Sequence, residues 1–234
     1  QTITVQYPNS TPGTTHRLSF KAESESGSTR TMDVDDISIT KECNAPLTPF
    51  ACQENKSYIL RNSGTSAADG KTYLYAFDIR TATYEQISNQ LIPGSTNTTV
   101  IAGGYNTDDN FIWAARSGTN QIVKIGSNGQ TQIFTVSGLP AQNWTAGDVD
   151  GNGVLFLHAG SSSTMYKVSL ATANPTYMGT LSFSSISSLD NFVVNQAGTI
   201  IYSHRGSSAS QYIPKITGAN TSSGSVSTYN LALA

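Results

Sequence analysis

From about residue 46 onward, short apolar runs alternate with turns of Gly, Asn, Asp and Ser, and the pattern recurs four times. A glycine closes the second run of each unit. The runs read Tyr-Ile-Leu-Arg-Asn-Ser before Gly64, Phe-Ile-Trp-Ala-Ala-Arg-Ser before Gly118, Val-Leu-Phe-Leu-His-Ala before Gly160 and Ile-Ile-Tyr-Ser-His-Arg before Gly206. Steps of about 42 and 46 residues between the last three glycines match propeller blades, not solenoid coils or heptads. A Pro/Gly/Ser/Thr-rich insert at 92–99 accounts for the longer first step.

Within each unit the period-2 alternation predicts antiparallel strands joined by tight turns. The second unit predicts strands at 99–105, 111–116, 121–125 and 131–136, separated by turn residues that tolerate positive φ. The third predicts 145–149, 154–158, 165–168 and 176–181, and the fourth 191–194, 200–204, 212–216 and 225–231. The first unit offers 57–61, 71–79 and 83–88 but no clear innermost strand, unless residues 44–51 serve. No window carries a capped stripe of period 3.6, so no long helix is expected. The predicted fold is all-β: a propeller-like repeat of about four four-stranded blades, the first incomplete, over residues 54–234.

Residues 1–42 differ. Alternation at 2–7, 16–22 and 31–40 predicts three strands, too few to bury a core alone. The phrases His-Arg-Leu-Ser-Phe-Lys-Ala at 16–22 and Val-Asp-Asp-Ile-Ser-Ile at 34–39 resemble the last strands of carbohydrate-binding jelly rolls. That resemblance implies the end of a β-sandwich module. Cys43 and Cys52 bracket a segment with two prolines, so residues 43–53 read as a linker stapled by a disulfide or as one carrying two separate thiols. Two cysteines and three scattered histidines do not make a zinc site.

The chain has 234 residues, 12 % of them charged, and a net charge of −2. Ordinary soluble domains carry about 25 % charged residues; here Ser, Thr, Asn and Gln stand in their place. Without a basic stripe there is no electrostatic case for nucleic acid, and the longest apolar runs are far too short for a membrane helix. The chain begins at Gln1, not Met, and reads as the mature part of a secreted or surface protein and as a piece of something longer. Sequons stand at Asn9, Asn55, Asn97, Asn143 and Asn220; Asn97 and Asn143, beside predicted turns, are the glycosylation candidates.

Residues 48–231 resemble an uncharacterised family of propeller-like domains in secreted and surface proteins. The resemblance is carried by Phe-Ala-Cys at 50–52, by Ala-Gly-Gly-Tyr-Asn at 102–106 with Asp-Asn-Phe-Ile-Trp at 109–113, and by Ser-Gly-Leu-Pro at 137–140 with Ala-Gly-Asp-Val-Asp at 146–150. It implies the fold and brings no activity with it.

Several residues could carry chemistry. Asp148, Asp150 and Asn152, followed by Gly153, match the opening of a calcium loop, but Ala159 stands where its bidentate acid belongs. The alternatives are a hairpin turn and a weak calcium site. Asn62, Arg116, His158 and His204, with Arg205 adjacent, fall two residues before the repeat glycines. They form either a ligand-binding rim or merely polar strand ends. Trp113 belongs in a core strand, whereas Trp144 is a loop anchor or a stacking surface for a sugar. No nucleophile elbow or phosphate loop occurs, and no catalytic residue is assigned. The leading expectation is a non-enzymatic extracellular module for structure or adhesion, assembling with itself or other surface proteins by strand complementation. A glycan-binding module, weakly calcium-dependent, is the alternative, and a propeller-type hydrolase or lyase the third reading.

Overall fold

The computed structural model describes residues 46–51, 55–63, 70–92, 99–160, 162–184, 189, 191–207 and 210–231. Among them every regular element is a strand. The proposed sandwich strands at 1–42, the cysteine pair Cys43 and Cys52, and the sequons at Asn9 and Asn97 lie outside the described residues.

The fifteen strands group into four antiparallel blades. Blade 1 holds β1 (Lys56–Ser63), β2 (Lys71–Asp78) and β3 (Thr83–Gln86), in that order. Blade 2 is β4 (Val100–Asn106), β5 (Phe111–Arg116), β6 (Gln121–Ile125) and β7 (Thr131–Thr135). Blade 3 is β8 (Trp144–Val149), β9 (Val154–Ala159), β10 (Thr164–Ser169) and β11 (Thr176–Phe183). Blade 4 is β12 (Asn191–Val194), β13 (Ile200–Ser207), β14 (Ser210–Thr217) and β15 (Ser223–Leu231). Blades 3 and 4 are joined at a corner where β11 meets β15 in parallel through Ser182 and Phe183. This makes one eight-stranded sheet, a junction no local pattern foreshadows.

Strands in the middle of the series have two faces that meet two different neighbouring blades. Three apolar clusters follow. Leu74, Val100, Ala114, Val123 and Ile125 fill the space between blades 1 and 2. Trp113, Ala115, Ile122, Leu155 and Leu157 lie between blades 2 and 3. Phe156, Met165, Phe192, Ile201 and Ile216 lie between blades 3 and 4. Interleaving of this kind explains why blade strands are apolar on both faces in the middle of the series.

The innermost strands approach too closely for side chains at two positions. A Cβ built on Gly104 would stand 2.6 Å from the Val149 nitrogen, and one on Gly147 would stand 2.6 Å from the Ala102 carbonyl carbon. Glycine there is a packing requirement of the β4–β8 contact.

Residues 46–51 do not supply blade 1 with its missing strand. They form no regular element and lie along blade 2 instead. Phe50 N–H donates to Asn110 O, and Ser127 N–H donates to Thr48 O at 2.8 Å. The Phe50 ring packs edge-on against Tyr58 at 4.4 Å and Tyr105 at 6.4 Å. Among the described residues, the inner edge of β1 therefore has no strand beside it.

Candidate functional site

The turn after each innermost strand is built around one Asx side chain. Asp150 Oδ1 accepts from Asn152 N–H at 2.9 Å and Val154 N–H at 2.8 Å. Asn195 Oδ1 does the same for Thr199 and Ile200 in blade 4, and Asn106 Oδ1 accepts from Asp108 N–H in blade 2. Strand register places Asn106, Asp150 and Asn195 at one repeat position. An uncharged amide performs this task as well as a carboxylate, which marks Asp150 as a turn cap.

Asp148 faces blade 4, where its Oδ2 accepts from Val194 N–H at 2.9 Å. Burial pushes its carboxyl above the usual range, the Val194 amide opposes this, and the charge of Asp150 adds to it. The Asn152 side-chain amide turns back to Asp150 Oδ2. Both Asp150 oxygens, Asp148 Oδ2 and the Asn152 amide nitrogen are thus engaged with the backbone or with one another. Among the described residues, no three His, Cys, Asp or Glu side chains gather as metal ligands.

The residues of the proposed rim do not converge. Register pairs Ala102 with Ala115 and Ala146 with His158, so Ala115, not Arg116, is the counterpart of His158. The glycine alignment is off by one residue there, and one residue reverses the face. Arg116 accordingly points toward blade 1 and donates to Gln121 Oε1 at 2.9 Å, while Asn62 Oδ1 accepts from the Thr72 hydroxyl. His158 points toward blade 4 and is wholly buried. Its Nε2 lies 2.8 Å from Ser162 O, and its Nδ1 has no partner. Burial lowers its pKa, against the Ser162 contact. His204 is exposed, and the side chain of Arg205 is outside the described residues.

Trp144 is a buried anchor. Its indole N–H donates to Thr119 O at 2.9 Å, and its ring meets Tyr166 edge-on at 5.3 Å. No face is offered to a sugar. Asn143 is exposed beside it.

A different constellation repeats, and sequence reading missed it. On the face that blades 2, 3 and 4 turn away from their predecessors, an aromatic on the second strand pairs in register with a lysine on the third: Trp113 with Lys124, Phe156 with Lys167, and Tyr202 with Lys215. Lys124 bridges to Asp109 at 3.0 Å and lies over the Phe111 and Trp113 rings. Lys167 crosses to blade 4 and donates to Thr221 O at 2.8 Å. Lys215 lies 5.9 Å from the Tyr202 centroid. Trp113 and Phe156 are 2 % and 1 % exposed, but Tyr202 is 38 % exposed, with Val193 at 60 % and Tyr229 at 53 % on the same face. Three lysines at blade spacing were the available signal.

A repeat family described as a repeat of unknown function (DUF6923) matches residues 58–233. The chain belongs to this family. No curated protein matches it in sequence. Among solved structures it is similar to the major Malassezia sympodialis allergen Mala s 1, at 10 % identity over 76 % of this chain and 60 % of that one, with a TM-score of 0.52. Virginiamycin B lyase from Staphylococcus aureus is matched at 11 % identity over 75 % and 56 % of the two chains, TM-score 0.45. TolB from Acinetobacter baumannii is matched at 16 % identity over 77 % and 42 %, TM-score 0.48. The chain spans less than two thirds of the length of each. The fold is β-propeller-like, and the likeness to Mala s 1 concerns the fold alone; a shared fold does not carry a shared activity.

Proposed function

We propose that this domain is a non-enzymatic assembly and adhesion module of the cell surface or extracellular space. It works by docking a further β-blade against the uncovered face of blade 4. One observation carries the reading: Val193 and Tyr202 are exposed at the repeat positions where Asp148 and Phe156 are covered in blade 3. The low charge of the chain weakens the repulsion that would oppose such contacts. The inner edge of β1 supplies a second, strand-complementing surface at the other end of the series. Arg116, Asp148 and Asp150 hold turns and blades together, which favours docking over catalysis. Of the features behind the glycan-binding alternative, Trp144 is buried and lends it no support.

Beads carrying the full chain are expected to adhere to cells of its source and to one another. Combining Val193→Asp with Tyr202→Asp should abolish adhesion by placing carboxylates in the docked interface. Adhesion indifferent to the double substitution, or none to either surface, sinks the reading.

A further inference from the structure

We infer that the blade seated on blade 4 is blade 1 of a second copy of this chain, giving head-to-tail assembly. The inference rests on the docking reading above and names its partner. The interfaces between blades 2 and 3 and between blades 3 and 4 follow one rule: the face of one blade that carries the aromatic–lysine pair covers the opposite face of the next. Blade 4 repeats the donor side of that contact with Val193, Tyr202, Lys215 and Tyr229.

The receiving side is on blade 1. Its residues facing blade 2 are Tyr58, Leu60, Leu74 and Ala76; strand alternation puts Ile59, Tyr73, Tyr75 and Phe77 on the other side. In blade 2, the residues that face the preceding blade include Ala114, Val123 and Ile125, all fully buried. On blade 1 the corresponding face is aromatic, and it continues onto Tyr84, stacked with Phe77 at 4.6 Å and 63 % exposed. Rings of this kind suit the ammonium of Lys215, which among the described residues has no ion pair like that of Lys124 with Asp109. Lys215 would then play the part of Lys167, donating to a backbone carbonyl. The turn between β2 and β3 occupies, in blade 1, the place that Thr221 holds in blade 4.

Because the two faces differ, the contact is heterologous and each copy keeps one free end until a ring closes. Sedimentation of the full chain should show oligomers that grow with concentration. Val193→Asp blocks one face and Tyr73→Asp the other, each weakening self-association by about 100-fold or more. Mixed together, the two monomeric variants should form a dimer and stop, since one intact face of each kind remains. Unchanged melting temperatures establish that both variants are folded; Tyr75→Asp replaces Tyr73→Asp if that variant unfolds. A wild type that stays monomeric at high concentration, or blocked variants that fail to pair, overturns the second-copy assignment. If bead adhesion to cells still depends on Val193 and Tyr202 in that event, the docking reading survives with another protein's blade as the partner.

Discussion

The acid response of His158 can be worked out from its surroundings. The ring is fully buried between blades 3 and 4, with Nε2 against Ser162 O and Nδ1 unpartnered. Nε2 therefore carries the hydrogen and the ring is neutral in the fold. Burial holds its pKa below the usual imidazole value. In the unfolded chain, histidine takes up a proton near pH 6.5. As pH falls below that value, the unfolded state binds more protons than the native state, so stability declines. The slope is at most about 1.4 kcal/mol per pH unit, and the decline stops once the native ring also titrates. Between about pH 6.5 and 5 the ceiling is therefore about 2 kcal/mol.

His158→Leu removes the effect. It forfeits a hydrogen bond of about 1 kcal/mol and relieves an unsatisfied buried nitrogen costing about 1–3 kcal/mol, so the two changes offset one another near neutrality. Urea unfolding of both proteins between about pH 7.5 and 5 makes the test. The wild type should lose stability relative to the variant as pH falls, with the gap opening below about pH 6.5. Asp148 shares that face, and its raised pKa acts with the opposite sign; being present in both proteins, it drops out of the difference. Parallel curves would refute the neutral buried ring.

Substitutions at three further positions probe the blade architecture. Asp150→Ala should cost about 2–3 kcal/mol in chemical denaturation by freeing two backbone N–H groups, while Asp150→Asn, matching Asn106 and Asn195, should cost less than about 1 kcal/mol; equal losses would contradict the turn-cap role. Gly147→Val should destabilise by more than about 3 kcal/mol or prevent folding, since its Cβ would meet the Ala102 and Gly103 backbone; a near-native melting temperature would show that β4 and β8 do not pack this closely. Trp144→Phe should lower stability by about 1–2 kcal/mol through loss of the bond to Thr119 O and leave any glycan-array signal unchanged; selective loss of sugar binding would restore the stacking role.

Element by element, the strands were legible because local alternation and turn chemistry agree. The predicted β5, β6 and β12 coincide with the observed strands, and among the described residues blade 1 has three strands. Register was not legible. The bulges between Val100 and Ala102 and between Trp144 and Ala146 fall at one repeat position in both blades; the offset lies in the hairpin that follows, where Gly118 comes three residues after Ala115 but Gly160 two after His158. Arg116 and His158 therefore look equivalent when counted from their glycines and yet face different blades. The Asp148–Asn152 motif was ambiguous because the same oxygens can hold a cation or backbone amides, and only the tertiary structure places them against the Val154 and Val194 amides.

Four units of small antiparallel sheet, without a helix among the described residues, follow from the chain's own periodicity, because strand and turn preferences act over a few residues. Which residues are covered depends on what lies beside each blade. Phe156 and Tyr202 occupy one repeat position, but blade 4 buries the first and nothing described covers the second. That difference belongs to packing between distant segments, and it turns a repeated structural position into a candidate docking surface.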